Sequence, residues 1–444
     1  MSNSPSSPSS PSSPSSPSSP STLTTAIPAS SLSAQIDAAA RDIEARLIAW
    51  RRDLHAHPEL GNREFRTAAI VAEHLRALGF DEVRTGVAHT GVVGLLKGAL
   101  PGPVVALRAD MDALPVAEEL DLPFASKVKA EWNGAQVGVM HACGHDCHTA
   151  ILMAVAEVLA SQRGGLRGTV KFIFQPAEEL PPEGEEGGAK MMIDEGAMDK
   201  PRPAAIFGLH VTSRLPLNLV GYRPGPTMAS ADNLKITVHG SQTHGAMPWA
   251  GVDPIVVSAQ VVLGLQTVIS RQTDLTREPA VLTIGSIHGG LRENIIPESV
   301  EMRGTIRTFD EEMRDDIHER VTYLAQAIAR GSRAGCTVCI KKNYPVTVND
   351  PVLTAAMLPT LGRVAGPGKL ALVPKVTGSE DFSFFQQVVP GLFIFLGVTP
   401  ETQDVGKAAP NHSPRFYVDE RCLVTGVRAL AHLAVDFLEA PPVA

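Results

Sequence analysis

At 444 residues the chain exceeds one ordinary domain and is long enough to bury a large core, so two folded units are the starting expectation. Hydrophobic residues at 44% and charged residues at 19% exclude a chain that is disordered throughout, and a formal net charge of -8 argues against a nucleic-acid partner, because phosphate binding needs a basic face. Five unevenly spaced cysteines (Cys143, Cys147, Cys336, Cys339, Cys422) do not resemble a disulfide framework; with neither a signal-peptide pattern nor an apolar run long enough to cross a bilayer, the chain is expected to be cytoplasmic, with no membrane partner.

Residues 2 to 21 are almost all Ser and Pro in a repeated S-S-P pattern that cannot bury apolar surface, so residues 1–33 are read as a disordered tail. Order is expected near Ala34, where Ile36, Ala40, Ile43 and Leu47 recur at helical spacing. Apolar runs at 92–97, 103–110, 168–175 and 204–210 read as buried strands, with a helix at 149–161 between two of them. Their alternation predicts an α/β fold with a mostly parallel sheet covered by helices. After the Pro/Gly-rich stretch 221–226 the order becomes strand 234–239, helix 253–271, strands 280–288 and 298–308, helix 310–330 and strand 336–343. That is the ferredoxin-like β-α-β-β-α-β arrangement. The first pattern resumes with a strand at 391–397 and a helix at 420–438. The expected division is therefore 34–225 and 345–444 for one unit, with 226–344 inserted as a smaller α+β unit.

The densest chemical cluster is M-H-A-C-G-H-D-C-H-T at 140–149, ahead of the predicted helix. Thiolate, imidazole and carboxylate together form the donor set of a divalent transition metal. A polar helix-capping loop is the plain alternative, but the density of ligand types favours metal. Cys143 and His145 are the ligand candidates, with Asp146 and His148 orienting them. Next, F-Q-P-A-E-E-L at 174–180 carries Glu178 and Glu179 out of a strand end, where loops of α/β folds face the ligand crevice. Alone, such a pair is a solvated loop; beside a metal cluster, one carboxylate can bind the ion and the other take a proton from water. His210 in G-L-H-V, His412 in N-H-S-P and the carboxylates of A-D-M-D-A-L-P (109–115) persuade only as a set, because separate strand ends can deliver them to one crevice. C-T-V-C at 336–339 is assigned to core packing, and His55 and His57 to structural or orienting roles.

The ordered series R-A-D-M-D-A-L-P, H-A-C-G-H-D-x-H, Q-P-A-E-E, G-L-H, T-H-G-A-M-P, N-x-I-P, G-T-I-R, G-S-E-D-F and N-H-S-P resembles the M20 metallopeptidase family, and within it the hippurate hydrolase and indole-acetyl-amino-acid hydrolase branch. The likeness runs from about residue 35 to the C-terminus. It implies a zinc-exopeptidase-like catalytic domain with a lid and dimerisation insert, and hydrolysis of the amide bond of small N-acyl amino acids. The implied site holds two divalent ions, Mn2+ or Zn2+, with Cys143 bridging and His145, Glu179, His210 and His412 completing the ligands. Glu178 becomes the general base, Asp110 steers a ligand imidazole, and His244 stabilises the oxyanion, commonly across a homodimer. Asn294, Arg307, Gly378 and Ser379 hold the substrate carboxylate and amide. Many relatives outside the branch carry H-x-D where this chain has Arg108-Ala109-Asp110, so Cys143 and His145 are expected to replace the missing imidazole. The acidic loop after Glu179, L-P-P-E-G-E-E-G-G, is longer than is usual in the branch. A dipeptidase or aminoacylase of the wider family, or a non-catalytic metal or ligand binder, are the competing readings.

Overall fold

The computed structural model describes residues 31–442 apart from residue 180. Most of the expected tail therefore lies outside the described residues; its last three positions already belong to the helix Ser31–Asp42. Ile36, Ala40, Ile43 and Leu47 are all buried, as their spacing requires.

The larger sheet has eight strands, in the spatial order Glu82–Val87, Gly91–Lys97, Arg167–Gln175, Leu100–Asp110, Ala205–Pro216, Gly391–Thr399, Val220–Tyr222 and Leu370–Leu372. The four central strands run parallel, while Gly91–Lys97 and Glu82–Val87 add antiparallel pairings at one side. The central strands are buried on both faces by a period-two division of side chains. Val105, Leu107 and Ala109 point into one core with the helices Glu44–Ala56, His145–Ser161 and Leu423–Glu439; Ala106 points into a second core with Met192, Phe382 and Phe385. That two-sided burial explains why these strands appear in the sequence as unbroken apolar runs.

The second sheet is wholly antiparallel, in the order Ala280–His288, Ser299–Thr308, Ala231–His239, Gly335–Tyr344, and two helices cover one of its faces. Both helices start on a side-chain cap: Asp253 accepts from the backbone of Ile255 and Val256, and Asp310 from that of Met313. Strands Gly225–Met228 and Thr347–Asn349 pair antiparallel, so the chain leaves and rejoins the larger sheet side by side.

Two sequence expectations need correcting here. Pro254–Gln272 is, by length and composition, apolar enough to cross a membrane, although no such stretch was expected. The reason is that this helix is apolar on two sides: Val257, Val261 and Leu265 pack on the sheet, while Ile255, Val256 and Leu263 are exposed. The two cysteines of C-T-V-C lie three apart on a strand and face opposite ways, so Cys336 packs partly against the core whereas Cys339 is exposed.

Candidate metal centre

Strand register assembles the site. Asp110 lies opposite Gln175, Arg108 opposite Gly208, and His210 opposite Phe395, so the carboxyl ends of four central strands finish at one edge. Asp110, the loop bearing Glu178 and Glu179, and His210 therefore emerge together. The helix His145–Ser161 starts against the same edge, and Gly144 makes that start possible. Its φ is +92°, and a Cβ there would lie 2.3 Å from Val211 Cγ2, so only glycine lets the chain turn between Cys143 and His145.

The five residues expected to hold metal come together. Donor atoms of Cys143, His145 and His210 lie within 4.8 Å of one another, as do those of Cys143, Glu179 and His412, so the Cys143 sulfur is common to two three-donor groups. His145 also groups with Glu178 and Glu179. His210 and His145 each have Nδ1 occupied by an oxygen acceptor, which leaves Nε2 to face the site. His210 Nδ1 lies 2.7 Å from the Val211 carbonyl, to which it donates, leaving Nε2 as a lone pair 3.4 Å from Cys143 Sγ. His145 Nδ1 is engaged by Asp112 Oδ1 at 3.2 Å, and its Nε2 is buried with no hydrogen-bond partner. His412 Nε2 lies 2.8 Å from Glu179 Oε1.

Electrostatics point the same way. Burial and the neighbouring Glu179 and Glu178 push the Cys143 thiol up, while burial, Glu380, Glu179 and Asp381 hold Glu178 well above the usual carboxylate range. Burial by itself lowers the pKa of His145, but Asp110 and Asp112 outweigh it and raise it to about 10. Burial and His148 keep His210 well below its ordinary value, hence neutral. A buried cluster crowded with anionic donors, with one imidazole nitrogen left unpaired, is short of positive charge, and a pair of divalent cations fits that deficit.

The carboxylate hydrogen-bonded to the His145 imidazole is Asp112, while Asp110 bonds to His148. Asp110 Oδ1 stands 3.8 Å from His145 Nδ1 but only 2.6 Å from His148 Nδ1. His148 Nε2 in turn accepts from the Val211 backbone 2.9 Å away, bracing the strand that carries His210. Asp112, two residues beyond Asp110 in the same A-D-M-D motif, reaches both sides of the site: one oxygen meets His145 and the other accepts from the Glu179 backbone at 2.9 Å. The signal was present as a second carboxylate, but only position relative to the strand end tells the two apart. Asp112→Ala should weaken metal binding about 10- to 100-fold, read by equilibrium dialysis against Mn2+ or Zn2+; unchanged affinity would remove Asp112 from this role.

Beneath Glu178 lies a network that sequence reasoning missed. Arg108 is fully buried, donating to Asp110 at 2.5 Å, Gln175 at 2.8 Å and Asp381 at 2.9 Å, with Glu380 at 3.0 Å. It thus neutralises carboxylates under the site. Glu380 and Asp381 come within 4.8 Å of the Glu178 carboxyl, and the Tyr344 hydroxyl donates to the Glu178 carbonyl at 2.6 Å.

Asp146 points away from the metal donors into a second buried network. It accepts from Arg51 Nε at 2.8 Å and lies 2.8 Å from His55 Nδ1, while His55 Nε2 is 3.1 Å from Glu118. His55 thus takes the structural place that was one of the two expected of it, whereas His57 is exposed and its Nδ1 faces the carbonyl and carboxylate of Asp53. Arg51→Ala leaves the buried Asp146 charge without its guanidinium and should cost about 3–5 kcal/mol in a denaturant titration. A loss below about 1 kcal/mol would show that His55 suffices.

The residues expected to hold substrate divide between the insert and the turn just before Glu380. His244 and Asn294 are neighbours on the short pairing Thr243–His244 with Ile295–Ile296, where Gly245 donates to the Asn294 carbonyl at 2.8 Å. His244 is exposed and its Nδ1 accepts from the Ala246 backbone at 3.0 Å, within its own turn. Arg307 is partly buried, donating to Thr305 Oγ1 and the Ile306 carbonyl, and among the described residues it forms no ion pair. Gly378 accepts from the Ala229 backbone at 2.9 Å and, with Ser379, directly precedes Glu380. The long acidic loop is pinned to the body: Glu185 is paired with Arg63, and the Asn62 amide donates to the Glu186 carbonyl.

Comparison with known proteins agrees with this geometry. The sequence profile of Peptidase family M20/M25/M40 matches residues 106–436. The chain is 42% identical over 399 residues to thermostable carboxypeptidase 1 of Saccharolobus solfataricus, covering 89% of this chain and 96% of that protein. It is 37% identical over 394 residues to an N-acetylcysteine deacetylase of Bacillus subtilis, covering 89% and 97%. A solved dinuclear metal binding peptidase of the M20 family from Bacillus subtilis superposes with a TM-score of 0.75 at 35% identity, covering 90% of this chain and 99% of that one. With a profile match over most of its length and relatives aligned nearly end to end, the chain belongs to Peptidase family M20/M25/M40 and is a hydrolase of that family.

Proposed function

We propose that this enzyme hydrolyses the amide bond of N-acyl amino acids, releasing a carboxylic acid and a free amino acid. The observation that carries the reading is the Cys143 sulfur common to two groups of metal donors with the Glu178 carboxyl beside them. Cys143, His145, His210, Glu179 and His412 would hold two divalent ions, Mn2+ or Zn2+. Such a pair, when bound, polarises a carbonyl and acidifies water. Glu178 accepts the proton of the attacking water and delivers it to the leaving amine. Arg307, which forms no ion pair among the described residues and is half withdrawn from solvent, is suited to the α-carboxylate of the amino acid, with Asn294 and the Gly378–Ser379 turn holding the amide.

His244 is assigned to the developing oxyanion. Its exposed place on the insert makes a partner subunit the natural recipient, and the insert is read as a lid that dimerises. The exposed apolar residues Trp249, Ile255, Val256, Leu263 and Leu291 of the insert support that reading. Sedimentation should give a dimer; a monomer at assay concentration would remove the dimer from the scheme.

The test is a side-by-side assay of hippurate, N-acetyl amino acids and dipeptides with added Mn2+ or Zn2+. An N-acyl amino acid should exceed the dipeptides in kcat/KM by about tenfold or more. The reverse order would favour a second reading, hydrolysis at the carboxyl end of short peptides, to which the relative named a carboxypeptidase points.

A further inference from the structure

The loop that carries Glu178 and Glu179 begins in a conformation that its residue type does not favour. Ala177 has φ +51°, in the left-handed region, which a non-glycine residue seldom adopts and which persists only if its surroundings hold it. What holds it is Glu64. The Ala177 N–H donates to Glu64 Oε1 at 2.9 Å, the same oxygen accepts from the Asn62 N–H at 3.1 Å, and Glu64 Oε2 accepts from Thr90 Oγ1 at 2.5 Å. Glu64 is fully buried, so its carboxyl ties together three segments far apart in the chain.

Glu64 stands at the N-cap of the helix Phe65–Ala77, yet its side chain does not cap that helix. The helix start is instead served by Glu59, which accepts from the backbone of Arg66 at 2.9 Å and Thr67 at 2.8 Å. Glu64 is thereby free to face the catalytic loop. The neighbouring Asn62 secures the far end of that loop, its amide donating to the Glu186 carbonyl at 2.9 Å and to Glu185 at 3.1 Å. The exposed Arg63–Glu185 pair adds little, because such pairs are screened by solvent.

We propose that Glu64 is a positioning residue for the reaction: by holding the Ala177 backbone it sets Glu178 and Glu179 in place against the metal donors. The inference rests on the roles proposed above for those two residues. Burial and the nearby Asp112 push the Glu64 carboxyl up to about 8, so a neutral amide of the same shape is a fair replacement.

The experiment compares Glu64→Ala, Glu64→Gln, Glu64→Asp and Glu59→Ala in the full-length enzyme, with metal content measured for each. Glu64→Ala should lower kcat roughly 30- to 100-fold with KM little changed, the loss expected when a reacting group is displaced by about 1 Å. It should also shift the visible absorption of the Co2+-substituted protein, since Glu179 moves. Glu64→Gln should recover most of both signals. Glu59→Ala, which removes a helix cap, should lower the melting temperature but leave kcat and the cobalt spectrum unchanged. If Glu64→Ala does not fold, Glu64→Asp, whose shorter side chain retracts the carboxyl, carries the same test. The proposal is overturned if the Glu64 variants lose only stability, as Glu59→Ala does, or if Glu64→Gln is as impaired as Glu64→Ala. The cobalt spectrum is read without substrate, so it judges Glu64 even if the substrate class proposed above is wrong.

Discussion

Glu178→Gln is expected to cut kcat by on the order of 10²- to 10⁴-fold, the contribution of a general acid–base, while both metal ions stay bound. The substitution keeps the size of the side chain and removes only its ability to carry a proton from water to the departing amine. The surroundings of Glu178 suit the proposed task. Burial and the carboxylates of Glu380, Glu179 and Asp381 raise its proton affinity, Arg108 opposes them, and the Tyr344 hydroxyl fixes its backbone. Steady-state rates together with metal analysis by mass spectrometry decide the matter. Substantial residual turnover with full metal content would take the proton-transfer role away from Glu178.

Cys143→Ala should have an equally large effect by another route, the loss of metal. Because its sulfur belongs to both three-donor groups, removing it disrupts both together. Loss of an orienting partner alone costs about 10- to 100-fold in affinity, so loss of a shared donor should exceed that, and activity should vanish with the metal. His412→Ala makes the comparison informative, since His412 belongs to one group only and its side chain is 55% exposed. That variant should hold metal more weakly but lose less of it than Cys143→Ala, and added Mn2+ or Zn2+ should restore part of its activity. A Cys143→Ala protein that retained two ions per chain after dialysis would show that the thiolate is not shared between them.

Much of this protein is written locally along its chain. Apolar runs identify the central strands because both faces of that sheet are covered, and period-3.6 spacing identifies Ile36, Ala40, Ile43 and Leu47 as core. The change from one α/β pattern to β-α-β-β-α-β order marks the insert, and donor-rich motifs single out Cys143, His145, Glu178 and Glu179, since soft and borderline ligands seldom crowd together without a cation. Each of these signals lies in residue type and spacing within a short window. The antiparallel pairings at the side of the large sheet, the choice of Asp112 over Asp110 beside His145, the burial of Arg108 among Gln175, Glu380 and Asp381, and the grip of Glu64 on Ala177 are decided only in three dimensions. Arg108 and Asp381 are 273 positions apart, and Glu64 and Ala177 are 113 apart. A buried polar group must find a partner wherever packing brings one, and strand register chooses which of two carboxylates two residues apart reaches the imidazole. No local pattern along the chain encodes that choice.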